Sequence, residues 1–263
     1  MTAGKAQLVR RVPILAYHSI SEGPPPLCLA PARFERHLAS LEDAGWRTLT
    51  FDEWLAGHAA GGWPPRRVLL TFDDGLASVA RDALPRLARR GFSALVFVVS
   101  GRMGAEATAA GWPAPVPFDR LLDPAGVADL VAGGLEVGAH SVSHVRLSAL
   151  QPGQAAREIL DGRRHLEDLL GRPVRSFSYP FGDAPTHAAA LVRAHFAAGF
   201  GIRLAFASPR SRVELVERID AYYVRRRRSL ASLADWRSRL GLAARSLLRE
   251  ARRAALRPGR HGR

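Results

Sequence analysis

The chain has 263 residues, 47% of them hydrophobic, enough for one large core and incompatible with wholesale disorder. Its single cysteine, Cys28, excludes an internal disulfide and a cysteine-built metal site, so any metal must be held by His, Asp or Glu. The net charge of +14 is uneven: residues 221–263 carry 13 Arg against Asp235 and Glu250, so +11 lies there and only +3 in the rest.

No apolar run approaches the roughly 20 residues that span a bilayer. Arg10 and Arg11 precede an apolar run over 12–17, too short for a signal-peptide core. The expected location is cytoplasmic, or peripheral at the inner face of the membrane.

Residues 12–17 end at His18 and read as a buried strand. Residues 21–31 hold Gly23 and three successive prolines, Pro24, Pro25 and Pro26, and predict a loop. Phe34, Leu38 and Leu41 recur at helical spacing up to Gly45, a C-terminal stop. Residues 51–55 predict a short helix, and 68–72 a strand followed at once by Asp73, Asp74 and Gly75. Residues 79–90 are amphipathic, and Gly91 ends them. Residues 94–99 are nearly all apolar, as in a strand covered on both faces. Residues 102–118, rich in Gly, Ala and Pro, read as irregular, and 124–132 as a helix stopped by Gly133 and Gly134. A strand over 135–139 runs into His140. The clearest helix is 152–170, with Ala156, Ile159, Leu160, Leu166, Leu169 and Leu170 in one stripe and Gly171 closing it. A strand over 174–179 stops at Pro180, a helix follows over 188–198, and a strand over 201–207. This alternation predicts a parallel sheet with helices outside, either open or closed into a barrel.

Four of these strands end in residues of catalytic type: His18, the Asp73-Asp74 pair, His140, and the step at Tyr179 and Pro180. In α/β barrels the C-terminal strand ends share one rim, and active sites lie there. His140 and His144, four apart, together with one carboxylate of Asp73 or Asp74 make a three-ligand set with an open position. A dication also relieves the repulsion of adjacent carboxylates and leaves one free as a base. The plain alternatives are a turn at Asp73-Asp74-Gly75 and an incidental His pair. His37, His58 and His165 read as surface residues, and His187 and His195 as helix-surface residues.

Thr71-Phe72-Asp73-Asp74-Gly75 and His140-Ser141-Val142-Ser143-His144 resemble the first two motifs of the polysaccharide deacetylases, carbohydrate esterase family 4 with its NodB-homology domain. Phe177-Ser178-Tyr179-Pro180-Phe181-Gly182 resembles the third. The resemblance spans about 12–222 and implies an α/β fold, a deformed (β/α) barrel over 1–222; the spacing of apolar residues in 223–263 predicts a basic amphipathic C-terminal helix after it. It implies metal-dependent removal of N- or O-acetyl groups from an N-acetylhexosamine-containing glycan. Asp73 would be the base and Asp74, His140 and His144 the ligands of a divalent metal, Zn first, with Co, Ni or Mn as alternatives. A backbone N–H at Tyr179, with Pro180 and Phe181 beside it, would face the oxyanion and substrate.

The chain departs from the family pattern in two places. The third motif usually begins with an Arg that orients the base, and Ser178 stands there. The later Leu-x-x-His motif that supplies an acid is absent. Tyr17-His18-Ser19-Ile20 resembles the N-terminal Tyr-His motif of the exopolysaccharide and poly-N-acetylglucosamine deacetylases, which implies His18 as general acid. Arg218, in Glu217-Arg218-Ile219-Asp220, is the candidate for the missing Arg. Trp112 and Phe118 are candidates for a sugar groove or for plain packing.

In the tail, Leu230, Leu233, Trp236, Leu240, Ala244, Leu247, Leu248 and Ala251 recur at helical spacing among arginines. Packing on the barrel is one reading and peripheral contact of 225–256 with anionic lipid another, while nucleic acid is not an expected partner. The rival to an active deacetylase is a carbohydrate-binding or scaffold protein that keeps the barrel without the activity.

Overall fold

The computed structural model describes residues 8–107, 116, 119–224, 230 and 245–246. The helix expected over 223–263 falls almost wholly outside these residues, as do Trp112 and Phe118.

The strands are β1 (Ile14–Tyr17), β2 (Arg47–Thr48), β3 (Arg67–Phe72), β4 (Leu95–Val98), β5 (Glu136–Ala139), β6 (Ser176–Ser178), β7 (Ala198–Leu204) and β8 (Val216–Asp220). The helices are α1 (Pro31–Asp43), α2 (Phe51–Ala59), α3 (Leu84–Ala88), α4 (Pro124–Ala132), α5 (Pro152–Leu170) and α6 (Thr186–His195). All strand pairings are parallel, and because β1 pairs with both β8 and β3, seven strands close into a ring. β2 pairs only with the first residues of β3. The expected deformed (β/α) barrel is therefore what the chain forms.

Period-two alternation fills both sides of the ring. Leu15, Tyr17, Val68, Leu70, Phe72, Val96 and Val98 belong to one apolar cluster with residues of the surrounding helices, including Phe34, Leu38 and Ile159. Ile14, Leu69, Leu95, Phe97, Phe200 and Val216 belong to a second cluster that fills the interior, with Phe51, Trp54 and Trp63. Trp63 donates its ring N–H to the Trp54 carbonyl (3.0 Å), whereas the buried Trp54 Nε1 finds no partner among the described residues.

The structure corrects several expectations. β2 and β8 lie outside the strands the pattern predicts: β2 is two residues long, and β8 carries the adjacent charges Glu217 and Arg218 between Val216 and Ile219. α6 ends at His195 because Phe196 is extended, so 198 opens β7, and the strand expected over 201–207 spans Ala198–Leu204. The amphipathic 79–90 segment is a π turn (Val79–Ala83) running into α3, with Pro85 at the join, where a proline cannot give the regular i→i−4 bond. His37, expected at the surface, is fully buried on the inner stripe of α1 with Phe34, Leu38 and Leu41. His58 is half-buried, with Nε2 3.1 Å from the Ser211 carbonyl.

Candidate active site

The register of the ring brings the strand ends together. Tyr17 pairs with Phe72, so His18 and Asp73 follow side by side. Val98 pairs with Ala139 and Ala139 with Phe177, which sets His140 and Ser178 at the same level. Asp73 still belongs to the ladder: its N–H donates to the Tyr17 carbonyl (2.9 Å). Asp74 then takes φ 74° and Gly75 φ 67°, and this left-handed pair swings Asp74 onto the rim beside Asp73. A Cβ on Gly75 would sit 3.1 Å from the Val98 Cα, so the turn also needs its glycine.

Asp74, Ser141, His144 and Phe181 all have positive φ, and among the described residues only Arg66 joins them as a non-glycine. Each such residue costs about 1 kcal/mol or more, and clustered strain of this kind marks functional sites.

Asp74 Oδ1 lies 3.4 Å from His140 Nε2 and 3.4 Å from His144 Nε2. All three residues are buried. His140 Nδ1 lies 2.7 Å from the Ser178 carbonyl, to which it donates, which turns Nε2 toward Asp74. Carboxylate and imidazole meet at this range through the ring's own proton when the ring is charged, or through a cation that both can ligate when it is neutral. Ligands bound tetrahedrally at ~2.1 Å lie about 3.4 Å apart, so the donor set fits a small dication.

The loop carrying His144 is anchored from α5. The Val142 and Ser143 N–H groups donate to Glu158 Oε2 (3.0 and 2.9 Å), and the Ser143 hydroxyl donates to Oε1 (2.6 Å). The His144 N–H donates to Ser141 Oγ (2.9 Å). Gly162 of α5 permits this close approach: a Cβ there would meet the Ser141 carbonyl carbon at 3.0 Å.

Arg218 reaches Asp73 from β8 through the barrel interior. Its two terminal nitrogens donate to the two Asp73 oxygens, both at 2.7 Å. It also donates to the Gly201 carbonyl (2.9 Å), Thr71 Oγ1 (3.1 Å) and Ser178 Oγ (2.9 Å), while packing near the rings of Phe97 and Phe200. Ser178, where the third motif usually has its Arg, thus helps to hold an Arg supplied by another strand. Burial pushes the Asp73 carboxyl up, but the charge and hydrogen bonds of Arg218 outweigh it and hold the carboxyl below its ordinary value. For Asp74, burial is likewise outweighed, by hydrogen bonds from His140 and His144, and its carboxyl lies well below the usual range.

His18 is half-buried and near enough for its charge to lower both Asp73 and Asp74. The backbone after it is clamped. Ser19 Oγ donates to Asp119 Oδ2 (2.7 Å), the Ser78 N–H donates to Asp119 Oδ1 (3.1 Å), and the Ile20 N–H donates to Ser78 Oγ (3.0 Å).

The N–H placed at Tyr179 from the family pattern is not available to a substrate. It donates to the Phe200 carbonyl (3.1 Å) in the β6–β7 ladder, and the buried Tyr179 hydroxyl donates to the Glu214 carbonyl (2.7 Å). Pro180 has no N–H. Of the three residues, only Phe181 has an N–H outside that ladder. Its ring lies 4.7 Å from that of His144, with the Arg146 guanidinium 4.3 Å over it.

The sequence pattern of the polysaccharide deacetylases matches residues 60–198, more than half of the chain. The chain belongs to the polysaccharide deacetylase family. YxkH of Bacillus subtilis (strain 168), classed with the polysaccharide deacetylases, is 28% identical over 179 residues. That match covers 68% of this chain and 59% of YxkH, so the chain spans about three-fifths of that relative's length. Two solved structures share the fold. The deacetylase PplD of Streptococcus pyogenes, solved with acetate, superposes with a TM-score of 0.70 at 23% identity, covering 81% of this chain and 93% of PplD. IcaB of Ammonifex degensii superposes with 0.69 at 24% identity, covering 82% and 95%.

Proposed function

We propose that this polysaccharide deacetylase family member is an active metal-dependent hydrolase that removes acetyl groups, first of all N-acetyl, from an N-acetylhexosamine-containing polysaccharide, oligosaccharide or lipid-linked glycan. The observation that carries the reading is the division of labour between two adjacent carboxylates. Asp74 faces two imidazoles and Asp73 faces a guanidinium, so one is suited to hold a cation and the other stays free as a base. Asp74, His140 and His144 would hold the metal, with Zn the first choice for this donor set and Co, Ni or Mn as alternatives. When bound, such a dication acidifies a water and polarises a carbonyl oxygen as a Lewis acid.

The remaining work falls to the chain. Asp73, kept ionised by Arg218 and aligned by its bidentate grip, takes the proton from the attacking water. The Phe181 N–H is the donor for the oxygen that gains charge as the carbonyl becomes tetrahedral. His18, across from Asp73 on the neighbouring strand, gives a proton to the leaving amine so that it departs neutral. The relatives support the substrate class by name only: PplD is a deacetylase seen with acetate, and YxkH is classed with the polysaccharide deacetylases. The reading as an inactive binding protein drew on the missing Arg of the third motif, and Arg218 meets that objection.

The test is acetate release from N-acetylglucosamine oligomers by metal-stripped and metal-reloaded protein, with Asp73→Asn and His18→Ala alongside. Activity should return only with metal. Asp73→Asn should lose about 1,000-fold and His18→Ala about 100-fold, within the range of general acid–base contributions. Stoichiometric metal binding with no release from a panel of acetylated glycans would leave the binding-protein reading in its place.

A further inference from the structure

On the flanks of the barrel, many arginines come with acids: Arg86 and Arg90 with Glu35, Arg163 with Glu167, Arg175 with Asp52 and Glu136. The N-terminal end of the barrel, opposite the catalytic rim, departs from this. Arg10 and Arg11 lead into β1, Arg66 and Arg67 lead into β3, and Arg210 lies in the segment that returns to bridge Ala207 with Val12. With Phe206 they line two adjoining cavities of about 510 and 490 Å³, which share Arg10, Arg11 and Phe206. Glu217 is the single acid lining either cavity, and it is paired with Arg203 at 3.4 Å. Among the described residues, none of the five arginines has an acidic partner. Four of them are exposed, and Arg66 holds the one left-handed non-glycine backbone away from the active site.

Such a cluster is not the chain's average, because residues 1–220 carry only +3. Nor does stability explain it. The N-terminal end of a barrel serves stability when it is well packed, whereas unpaired like charges repel one another until an anion arrives. Guanidinium forks match phosphate oxygens, which makes phosphate the fitting anion.

We infer that this end of the barrel binds the phosphate headgroups of an anionic lipid surface. The charges are spread over a face instead of converging on one point. Leu8, 43% exposed, and half-buried Phe206 stand among them, so the face is amphiphilic. Its aromatic residues, Trp46 and Phe206, are buried and half-buried and present no platform on which bases would stack. A bilayer against this end leaves the catalytic rim facing away from it, open to a polymer. The inference does not depend on the hydrolase reading.

The test is co-sedimentation of the full chain with vesicles of phosphatidylglycerol and phosphatidylcholine against phosphatidylcholine alone. Arg10→Gln, Arg11→Gln, Arg67→Gln and Arg210→Gln are combined in one variant. A control of equal net charge combines Arg81→Gln, Arg89→Gln, Arg120→Gln and Arg164→Gln on the flanks. At about fivefold per arginine near an anionic surface, the first variant should lose roughly 600-fold in partitioning, while the control stays within about threefold of wild type. Thermal melting checks that both are folded. The exposed pair Arg10→Gln and Arg210→Gln serves if the fourfold variant is not, with a loss of about 25-fold. Equal losses in patch variant and control, or no loss in the patch variant, would overturn the assignment. So would release by inorganic phosphate at constant ionic strength, which would mean a free-phosphate site. Tighter patch-dependent binding of a single-stranded oligonucleotide than of vesicles would overturn it as well.

Discussion

Two buried polar groups show opposite outcomes of the same contest. Asp73, at the rim, is almost fully enclosed, yet its carboxyl lies below the ordinary value because Arg218 outweighs burial. His37, between α1 and the sheet, is also enclosed, but burial wins, helped by Arg33 and Arg36, and its pKa falls to about 4. The difference lies in partners. Asp73 receives two charge-assisted bonds of 2.7 Å, whereas His37 Nδ1 has the Tyr17 hydroxyl at 3.4 Å and its Nε2 has no hydrogen-bond partner among the described residues. Charge is kept at Asp73 because the chain has built a full set of partners there, which His37 lacks.

The strongest way to break the comparison is to take Arg218 from Asp73. Arg218→Met should cost about 3–5 kcal/mol in urea unfolding near neutral pH, since it strands a buried carboxylate. On an Asp73→Asn background the same change should cost clearly less. The pH dependence has a definite sign. A carboxyl depressed in the folded state stabilises above its unfolded value of about 3.9 and loses that contribution as pH falls through the folded value. The gap between wild type and Arg218→Met should therefore narrow in acid, and the acid limb of activity should move to higher pH in the variant. Additive costs in the double variant would mean that the two side chains do not work as a pair.

A smaller effect is expected at Glu158, which gathers three donors from the His140–His144 loop without touching the ligands themselves. Glu158→Gln should weaken metal affinity about 10-fold, the low end for outer-shell groups, as read by chelator competition. If melting falls while metal affinity is unchanged, the anchor is structural only.

How far the sequence discloses all this depends on distance along the chain. Alternating strands and helices predict a parallel sheet with helices outside, open or closed, and the Asp-Asp-Gly and His-x-x-x-His runs predict a candidate cation site with either carboxylate, because each signal is local; the barrel and the choice of Asp74 come with the family resemblance. Arg218 was visible only as a candidate: its strand reads as polar until the ring closes and Asp73 becomes its partner. The Tyr179 N–H was misjudged because a motif does not say which amide the neighbouring ladder has already taken. Glu158 sits 14 or more residues from the loop it holds, and no periodicity reveals that contact. His37 was legible in principle, since it falls between Phe34 and Leu41 on the apolar stripe; its polarity hid it.

His37 also gives the gentlest test of the contrast. Its unfolded pKa is about 6.5 and its folded value about 4, so between those pH values the unfolded chain binds a proton that the folded chain refuses. Stability should rise with pH across that window and level off above it, with a span of at most about 3 kcal/mol from this residue. His37→Leu keeps similar bulk in the stripe and removes the titration. The difference between wild type and variant in urea unfolding should thus be constant above pH 7 and turn against wild type toward pH 4. Other groups titrate in the same range, but they do so in both proteins and cancel in the difference. A flat difference would mean that His37 takes up its proton inside the fold. In that case Tyr17 would be a far better partner than 3.4 Å implies, and the contrast with Asp73 would fail.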